Sequence, residues 1–225
     1  MIHTLEVDSV RLVFNTKVIL SDVYLKSETG KITGILGRNG SGKSSLLRII
    51  FGTLQAENQS VRLNRQYVRA LYQQPKAIHY LPQEGIALPY LSGHQLLQLF
   101  ITQPERYDRM LQVPEIYQHQ HQRFGTLSTG LQKFWEVMLL LYADARFLLL
   151  DEPFSGISPL LVERLLPHFQ QQAQHKGIII TDHWYETILA LSNSLILLVH
   201  GKTRPIQKRE ELYDWGYLSS SEHFG

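Results

Sequence analysis

Gly37-Arg38-Asn39-Gly40-Ser41-Gly42-Lys43-Ser44 matches the phosphate-binding pattern G-x-x-x-x-G-K-[ST] at every fixed position. Upstream, Lys31-Ile32-Thr33-Gly34-Ile35-Leu36 is a short apolar run suited to a buried strand. Downstream, Ser45-Leu46-Leu47-Arg48-Ile49-Ile50-Phe51 has the apolar density of a packed helix. Strand, glycine turn and helix is the context the pattern requires. The glycines let successive N–H groups turn into one concavity, where the helix N-terminus adds a partial positive charge of about +0.5. Polyphosphate suits that field. Lys43 is expected to reach the β- and γ-phosphates, and the Ser44 hydroxyl to ligate the Mg²⁺ that bridges them. With glycine near 7% of average composition, a chain of this length shows the pattern by chance about once in a hundred.

The remaining chain permits one sizeable core. Its 225 residues are 44% hydrophobic and 19% charged, ordinary for a globular protein, and the net charge of +2 comes without a long basic block. That balance points to neither nucleic acid nor anionic lipid as the main partner. The absence of cysteine removes disulfide frameworks and thiolate metal sites, and suits a reducing compartment. Residues Met1 to Glu6 lack a basic region followed by an apolar core, so no secretory signal is expected. The most apolar stretches, Val137 to Leu150 and Ile188 to Val199, are shorter than a span of about 20 residues.

Working outward, residues 2–28 read as strands of a small antiparallel sheet: Leu5 and Val7, then Val18-Ile19-Leu20, then Val23-Tyr24-Leu25, closed by a turn at Thr29-Gly30. Val61-Arg62-Leu63 and Tyr67-Val68-Arg69 form a hairpin about Asn64, and Ala77 to Leu81 is a buried strand. From Glu84 to Gly125 the chain turns Gln- and His-rich, with Gly93, Pro104 and Pro114 as breakers, and reads as a separate helical subdomain. Ser128 can cap a helix from Leu131 to Ala143. After it, strands Phe147–Leu150, Gly177–Thr181 and Leu195–Val199 alternate with helices near Leu160–Gln174 and Trp184–Leu191 in the α/β manner. The tail after Gly216 is polar and expected to be loose.

Ligands of open parallel sheets sit at the carboxyl ends of strands, which places Gln83, Asp151-Glu152 and Asp182-His183 on the same rim as Lys43. Asp151 can hold the Mg²⁺ shell, and Glu152 can orient or deprotonate the attacking water. His183 can contact the γ-phosphate or hold that water in line, while Gln83 can sense metal and water through its amide.

In this order the motifs resemble those of the nucleotide-binding subunits of ATP-binding-cassette transporters, over roughly the whole chain. Gly37 to Ser44 corresponds to the Walker A loop, Gln83 to the Q-loop, and Leu127-Ser128-Thr129-Gly130-Leu131 to the signature. Phe147 to Asp151 corresponds to the Walker B strand, Glu152 to the catalytic glutamate and His183 to the switch histidine. The runs Tyr80 to Glu84, Asp151 to Pro159 and Ile180 to His183 look most like the lipopolysaccharide-export and branched-chain amino-acid groups. The resemblance implies a P-loop α/β fold with a mixed RecA-like sheet, an N-terminal antiparallel β subdomain and an inserted α-helical subdomain. The whole chain, 1–225, is then one domain, with residues 1–83 and 145–225 as catalytic core and 84–144 as the helical part.

It also implies that ATP and Mg²⁺ are bound. ATP contacts are expected from Gly37, Asn39, Gly40, Ser41, Gly42, Lys43, Ser44 and Ser45, and metal contacts from Ser44, Gln83 and Asp151. Catalytic work is expected of Glu152, His183, Gln83 and Lys43. Phe14 stands where the family stacks an aromatic on adenine, or else packs in the core. Ser128 and Gly130 are expected to cover the γ-phosphate of a facing subunit in a head-to-tail dimer, with a second copy or another ATPase subunit. The implied setting is cytoplasmic, peripheral on the inner face of the membrane, with transmembrane subunits on other chains as partners and no nucleic acid. Part of that docking could fall on Ile86-Ala87-Leu88-Pro89-Tyr90-Leu91, unless these residues fill the subdomain's own core.

Three positions depart from the family: Thr129 and Leu131 replace a glycine and the glutamine of the signature, and Ser158 replaces an aspartate that contacts the partner. They motivate the reading of a binding switch with weak hydrolysis, and an ATPase of a soluble assembly is a separate alternative. His119 and His121, without a third ligand, read as no metal site. Arg62, Arg65 and Arg69 read as a solvated face, and Trp184 as a packing residue.

Overall fold

The computed structural model describes residues 2–218. Strand β1 (Thr4–Phe14) pairs antiparallel with β2 (Lys17–Leu20) and with β3 (Leu25–Glu28), so the third expected strand begins only at Leu25. Leu5, Val7, Val10 and Leu12 are its buried residues, and the change of phase after Val7 has a cause. Ser9 has φ 56 and the pairing register shifts between Asp8 and Arg11, so a bulge moves the inward face by one residue. Strand β4 (Ile32–Leu36), buried at all five residues, leads through the glycine loop into α1 (Lys43–Phe51). The hairpin follows as β5 (Asn58–Leu63) and β6 (Gln66–Tyr67), turning on Asn64 and Arg65 at φ 52 and 69, the two positive values a tight hairpin turn needs.

After β7 (Ile78–Leu81) come α2 (Gly93–Phe100), α3 (Pro104–Leu111), α4 (Pro114–Tyr117) and α5 (Thr129–Tyr142). Gly93, Pro104 and Pro114, expected to break helices, each stand first in one. Proline fits there because the first helical N–H has no intrahelical partner. The chain then alternates through β8 (Phe147–Asp151), α6 (Pro159–Ala173), β9 (Gly177–Thr181), α7 (Tyr185–Leu191) and β10 (Ser194–Val199). It closes with β11 (Lys202–Ile206) and the short α8 (Glu211–Asp214), which the sequence did not announce. Leu218 is buried, so packing continues past Gly216, and the rest of the tail expected to be loose lies outside the described residues.

Strands β1, β2, β3, β5 and β6 form one sheet. The second has the order β11-β10-β4-β9-β8-β7, parallel except for the antiparallel edge strand β11. This α/β arrangement is the expected mixed sheet with an antiparallel sheet beside it. Alternate residues of its central strands serve two cores. Phe147, Leu149 and Ile179 face a cluster with α1 and the N-terminal sheet, while Leu148, Leu150, Ile178 and Ile180 face one with the helices. Residues 84–144 share that second cluster: Leu96, Met110, Ile116 and Trp135 pack in continuity with Leu150 and Phe169.

Lys176 is buried at the far end of α5 and donates to the carbonyls of Leu140 and Ala143. A cation there complements the helix dipole. Burial nonetheless dominates and pulls its pKa down to about 7.

Candidate active site

The glycine loop joins the end of β4 to the start of α1. Gly42 occupies the N-cap of α1 at φ 104, a left-handed conformation, and offers no side chain to the first-turn amides, which stay available to an anionic oxygen. Lys43 is buried and its Nζ donates to Gly37 O at 2.8 Å and Arg38 O at 3.4 Å. Burial pushes its pKa down, and the charges of Glu152, Asp151 and Asp182 act against that. Arg38 is in turn tied to the C-terminal turn, donating to Gly216 O at 2.6 Å.

A cavity of about 470 Å³ opens over this loop, lined by Phe14, Ile19, residues 39–45, Gln83, Glu152 and His183. Phe14, for which a core position was the alternative, is 48% exposed at the end of β1. An aromatic face turned to the cavity is what an adenine ring could stack on. Gly37, expected among the ATP contacts, does not line this cavity, and its carbonyl is taken by Lys43 Nζ.

The three rim residues opposite Lys43 are joined to one another. Glu152 Oε1 lies 2.7 Å from His183 Nε2, and its Oε2 accepts from Gln83 Nε2 at 3.1 Å. Glu152 has φ 50, and its own N–H donates to Thr181 O at 2.9 Å. That left-handed turn at the end of β8 is unusual for a non-glycine residue and is the kind of strain functional sites keep.

Asp151 is buried behind the cavity wall rather than lining it. Its Oδ1 accepts from the Thr181 hydroxyl at 2.8 Å and its Oδ2 from the Tyr80 hydroxyl at 3.2 Å. Burial, with the Asp151 charge, raises the Tyr80 pKa far above the ordinary phenol range, so Tyr80 is a neutral donor. Asp182 is also buried. It accepts from Phe154 N at 2.9 Å with one oxygen, and from His183 N at 2.7 Å and Trp184 N at 3.1 Å with the other. Burial raises its pKa and these three hydrogen bonds oppose the rise. Thr181, Tyr80 and Asp182 thus seat the rim. Asp182, expected on the rim with His183, lies buried behind it and does not line the cavity, and a hydroxyl ending the apolar run Ile178-Ile179-Ile180-Thr181 was the available signal for Thr181.

Ser44, Gln83 and Asp151 offer hydroxyl, amide and carboxylate oxygens, a hard donor set suited to Mg²⁺. Among the described residues no group of three or more His, Cys, Asp or Glu could hold a metal alone. A hard cation that keeps waters and takes phosphate oxygens is the kind such a set accommodates.

Ser128 and Gly130 are not brought to this cavity. Ser128 caps α5, accepting from Leu131 N at 3.3 Å, and stands exposed with Thr129, whereas Leu131 packs partly against the core. Ser158 caps α6, accepting from Leu161 N at 3.4 Å, a task aspartate would also perform. Of the run Ile86 to Leu91, Ile86, Ala87 and Leu91 pack on the core while Leu88 and Tyr90 are exposed. Trp184 is 39% exposed at the N-cap of α7, so packing does not describe it. Arg62 pairs with Glu6 and Asp8 instead of facing solvent alone. His119 Nδ1 lies 3.0 Å from Glu115 O.

The family model described as ABC transporter matches residues 20–155, from β2 through the loop to the residues just after Glu152. The chain belongs to the ABC transporter family. Its curated relatives include the lipopolysaccharide export system ATP-binding protein LptB of Acidithiobacillus ferridurans, 28% identical over 95% of this chain and 94% of that one. LptB of Escherichia coli K12 is 27% identical over 88% of each. Among solved structures, an ATP-binding subunit of an ABC transporter superposes with a TM-score of 0.81 at 20% identity, over 97% of this chain and 96% of that one. A nucleotide-free ATP-binding cassette gives 0.79, also at 20% identity. The fold is that of ABC ATPase domains, whose family binds and hydrolyses ATP.

Proposed function

We propose that this chain is the ATP-hydrolysing subunit of an ABC transporter, driving substrate translocation by membrane subunits carried on separate chains. The observation that carries the reading is the linked set Gln83, Glu152 and His183 facing Lys43 across one cavity. Family membership and the full-length likeness to LptB proteins support the transport role. No helix among the described residues is long and apolar enough to cross a membrane, which suits a peripheral subunit on the cytoplasmic face. Residues 84–144 would act as a helical subdomain, with exposed Leu88 and Tyr90 in the contact to the membrane subunits.

Catalysis would rest on placement and charge. The glycine-loop amides and Lys43 hold the phosphates, and Phe14 holds the base. Mg²⁺ held through Ser44, Gln83 and Asp151 would neutralise charge on the phosphates. Glu152 takes a proton from the water as its oxygen bonds to the γ-phosphorus and the bond to the bridging oxygen of ADP breaks. His183 orients the carboxylate and the water. Ser128, exposed at the start of α5, and the partly covered Gly130 would cover the γ-phosphate of a facing subunit. Leu131 favours a second reading, a switch with slow hydrolysis, because it turns to its own core and offers no amide to that phosphate.

The test is ATP hydrolysis by the purified chain, alone and with polytopic proteins captured from membranes. Turnover lost in Lys43→Ala, together with a co-purifying polytopic partner, is the expected result. Undetectable turnover in both preparations would select the switch, and a soluble partner would defeat the transport role.

A further inference from the structure

Two buried charges on α5 are not used in the chemistry above. Lys133 and Glu136 are 8% and 6% exposed, and their spacing places them on one face of the helix. Both turn to the same piece of backbone, residues 82–87, the loop that carries Gln83 from β7 into the cavity. Lys133 Nζ donates to Gln83 O at 2.9 Å and to Pro82 O at 3.4 Å. Glu136 Oε1 accepts from Ile86 N at 2.7 Å and Ala87 N at 2.9 Å. An ammonium thus takes the carbonyls at one end of the loop and a carboxylate takes the amides at the other. Such charge-assisted bonds are about twice as strong as neutral ones.

Between the two ends stands Gly85, at φ 89, against the Glu136 carboxylate. A Cβ there would meet Oε1 at 2.5 Å, so the loop approaches the helix this closely because the residue is glycine. Burial lowers the Lys133 pKa, while Glu136, Asp151, Glu84 and Asp182 favour its charged form. Ion burial on this scale is costly unless geometry satisfies it. Here the backbone of one catalytic loop satisfies it.

We propose that Lys133 and Glu136 are positioning residues for Gln83, locking loop 82–87 to α5, the helix capped by Ser128, so that the two move as one body. The inference rests on the reading of Gln83 as the group facing metal and water. Displacement of the start of α5 by a facing subunit then carries the Gln83 amide with it, and a poorly seated α5 withdraws it.

The test compares the full chain as wild type, Glu136→Gln, Lys133→Met, Lys133→Arg, Gln83→Ala and the Lys133→Met/Gln83→Ala pair, with thermal melts to confirm folding. Hydrogen exchange at the amides of Ile86 and Ala87 reads the lock without hydrolysis. It should be about ten-fold faster in Glu136→Gln and Lys133→Met, with β8 amides unchanged. The free Mg²⁺ giving half-maximal ATP hydrolysis should rise about five-fold or more in Lys133→Met and return in Lys133→Arg. The ATP KM at saturating Mg²⁺ should stay within about two-fold, and the pair should be no worse than Gln83→Ala alone. Wild-type exchange at both amides in both variants overturns the proposal, and so do effects of Lys133→Met and Gln83→Ala that multiply. A wild-type chain that does not hydrolyse ATP would instead refute the functional reading, and the exchange rates would still decide on the lock.

Discussion

His183 Nε2 stands 2.7 Å from Glu152 Oε1, so the carboxylate proposed to accept a proton is already seated against a ring that can share it. Replacing that carboxylate by an amide keeps the shape and removes the base. Glu152→Gln is expected to lower kcat by about 100-fold or more while Mg·ATP affinity stays within a few-fold. Sedimentation velocity should show an ATP-bound dimer accumulating. A monomer at saturating ATP would mean that the surface bearing Thr129 and Leu131 does not pair with itself.

Phe14 tests recognition of the base separately from that of the phosphates. Because its ring lines the cavity while 48% exposed, Phe14→Ala should cost little stability. It should weaken ATP binding by about 1 kcal/mol, the scale of an aromatic stack, and leave the affinity for inorganic triphosphate unchanged. Calorimetric titration with the two ligands separates the outcomes, and equal losses on both would remove Phe14 from the base site.

Tyr80 and Thr181 divide the support of Asp151. Tyr80→Phe removes one hydroxyl at 3.2 Å and leaves the other oxygen held at 2.8 Å, so a stability loss of about 1 kcal/mol is expected, read by urea unfolding. Thr181→Val strips the closer donor inside the sheet and should cost about 1–3 kcal/mol. It should also raise the Mg²⁺ needed for hydrolysis, which a loss of packing alone would not do.

Lys176 predicts a pH slope. Its folded pKa of about 7 lies below the usual lysine value, so the unfolded chain binds more protons between about pH 7 and pH 10, and stability rises with pH through that window. Below about pH 7 the full penalty is present. Lys176→Met lacks the group, so the melting temperature of wild type relative to this variant should climb from about pH 7 to about pH 9. A constant difference would place the lysine pKa in its ordinary range.

Legibility in the sequence followed burial. Strands β4, β8 and β9 are buried at every residue and read as unbroken apolar runs, and Glu152 and His183 were found because they follow such runs, while Gln83 follows the half-buried β7. Strand β11, Lys-Thr-Arg-Pro-Ile, has one buried residue, and pairing with β10 makes it a strand. Its exposed edge explains how Pro205 is tolerated. The supports of the site were hidden for another reason. Thr181 reaches Asp151 because the two are register partners across β8 and β9, and register depends on the whole sheet. Lys133 and Glu136 carry no signal of their own in the sequence, because only the packing of α5 against the loop after β7 buries them.

The carboxylate of Asp182 bridges two loops, taking the amide of Phe154 on one and those of His183 and Trp184 on the other. Two residues beyond Phe154, the carbonyl of Gly156 lies where a Cβ on Gly130 would meet it at 2.7 Å. The imidazole therefore has no private footing: its seat is shared with a segment that touches the start of α5. A tryptophan-free probe placed at Ser155, exposed and outside the cavity lining, would report the attitude of the histidine without touching the chemistry. In mechanical language, one aspartate serves as the rivet between the part of the chain that would feel a neighbour and the part that would act on water.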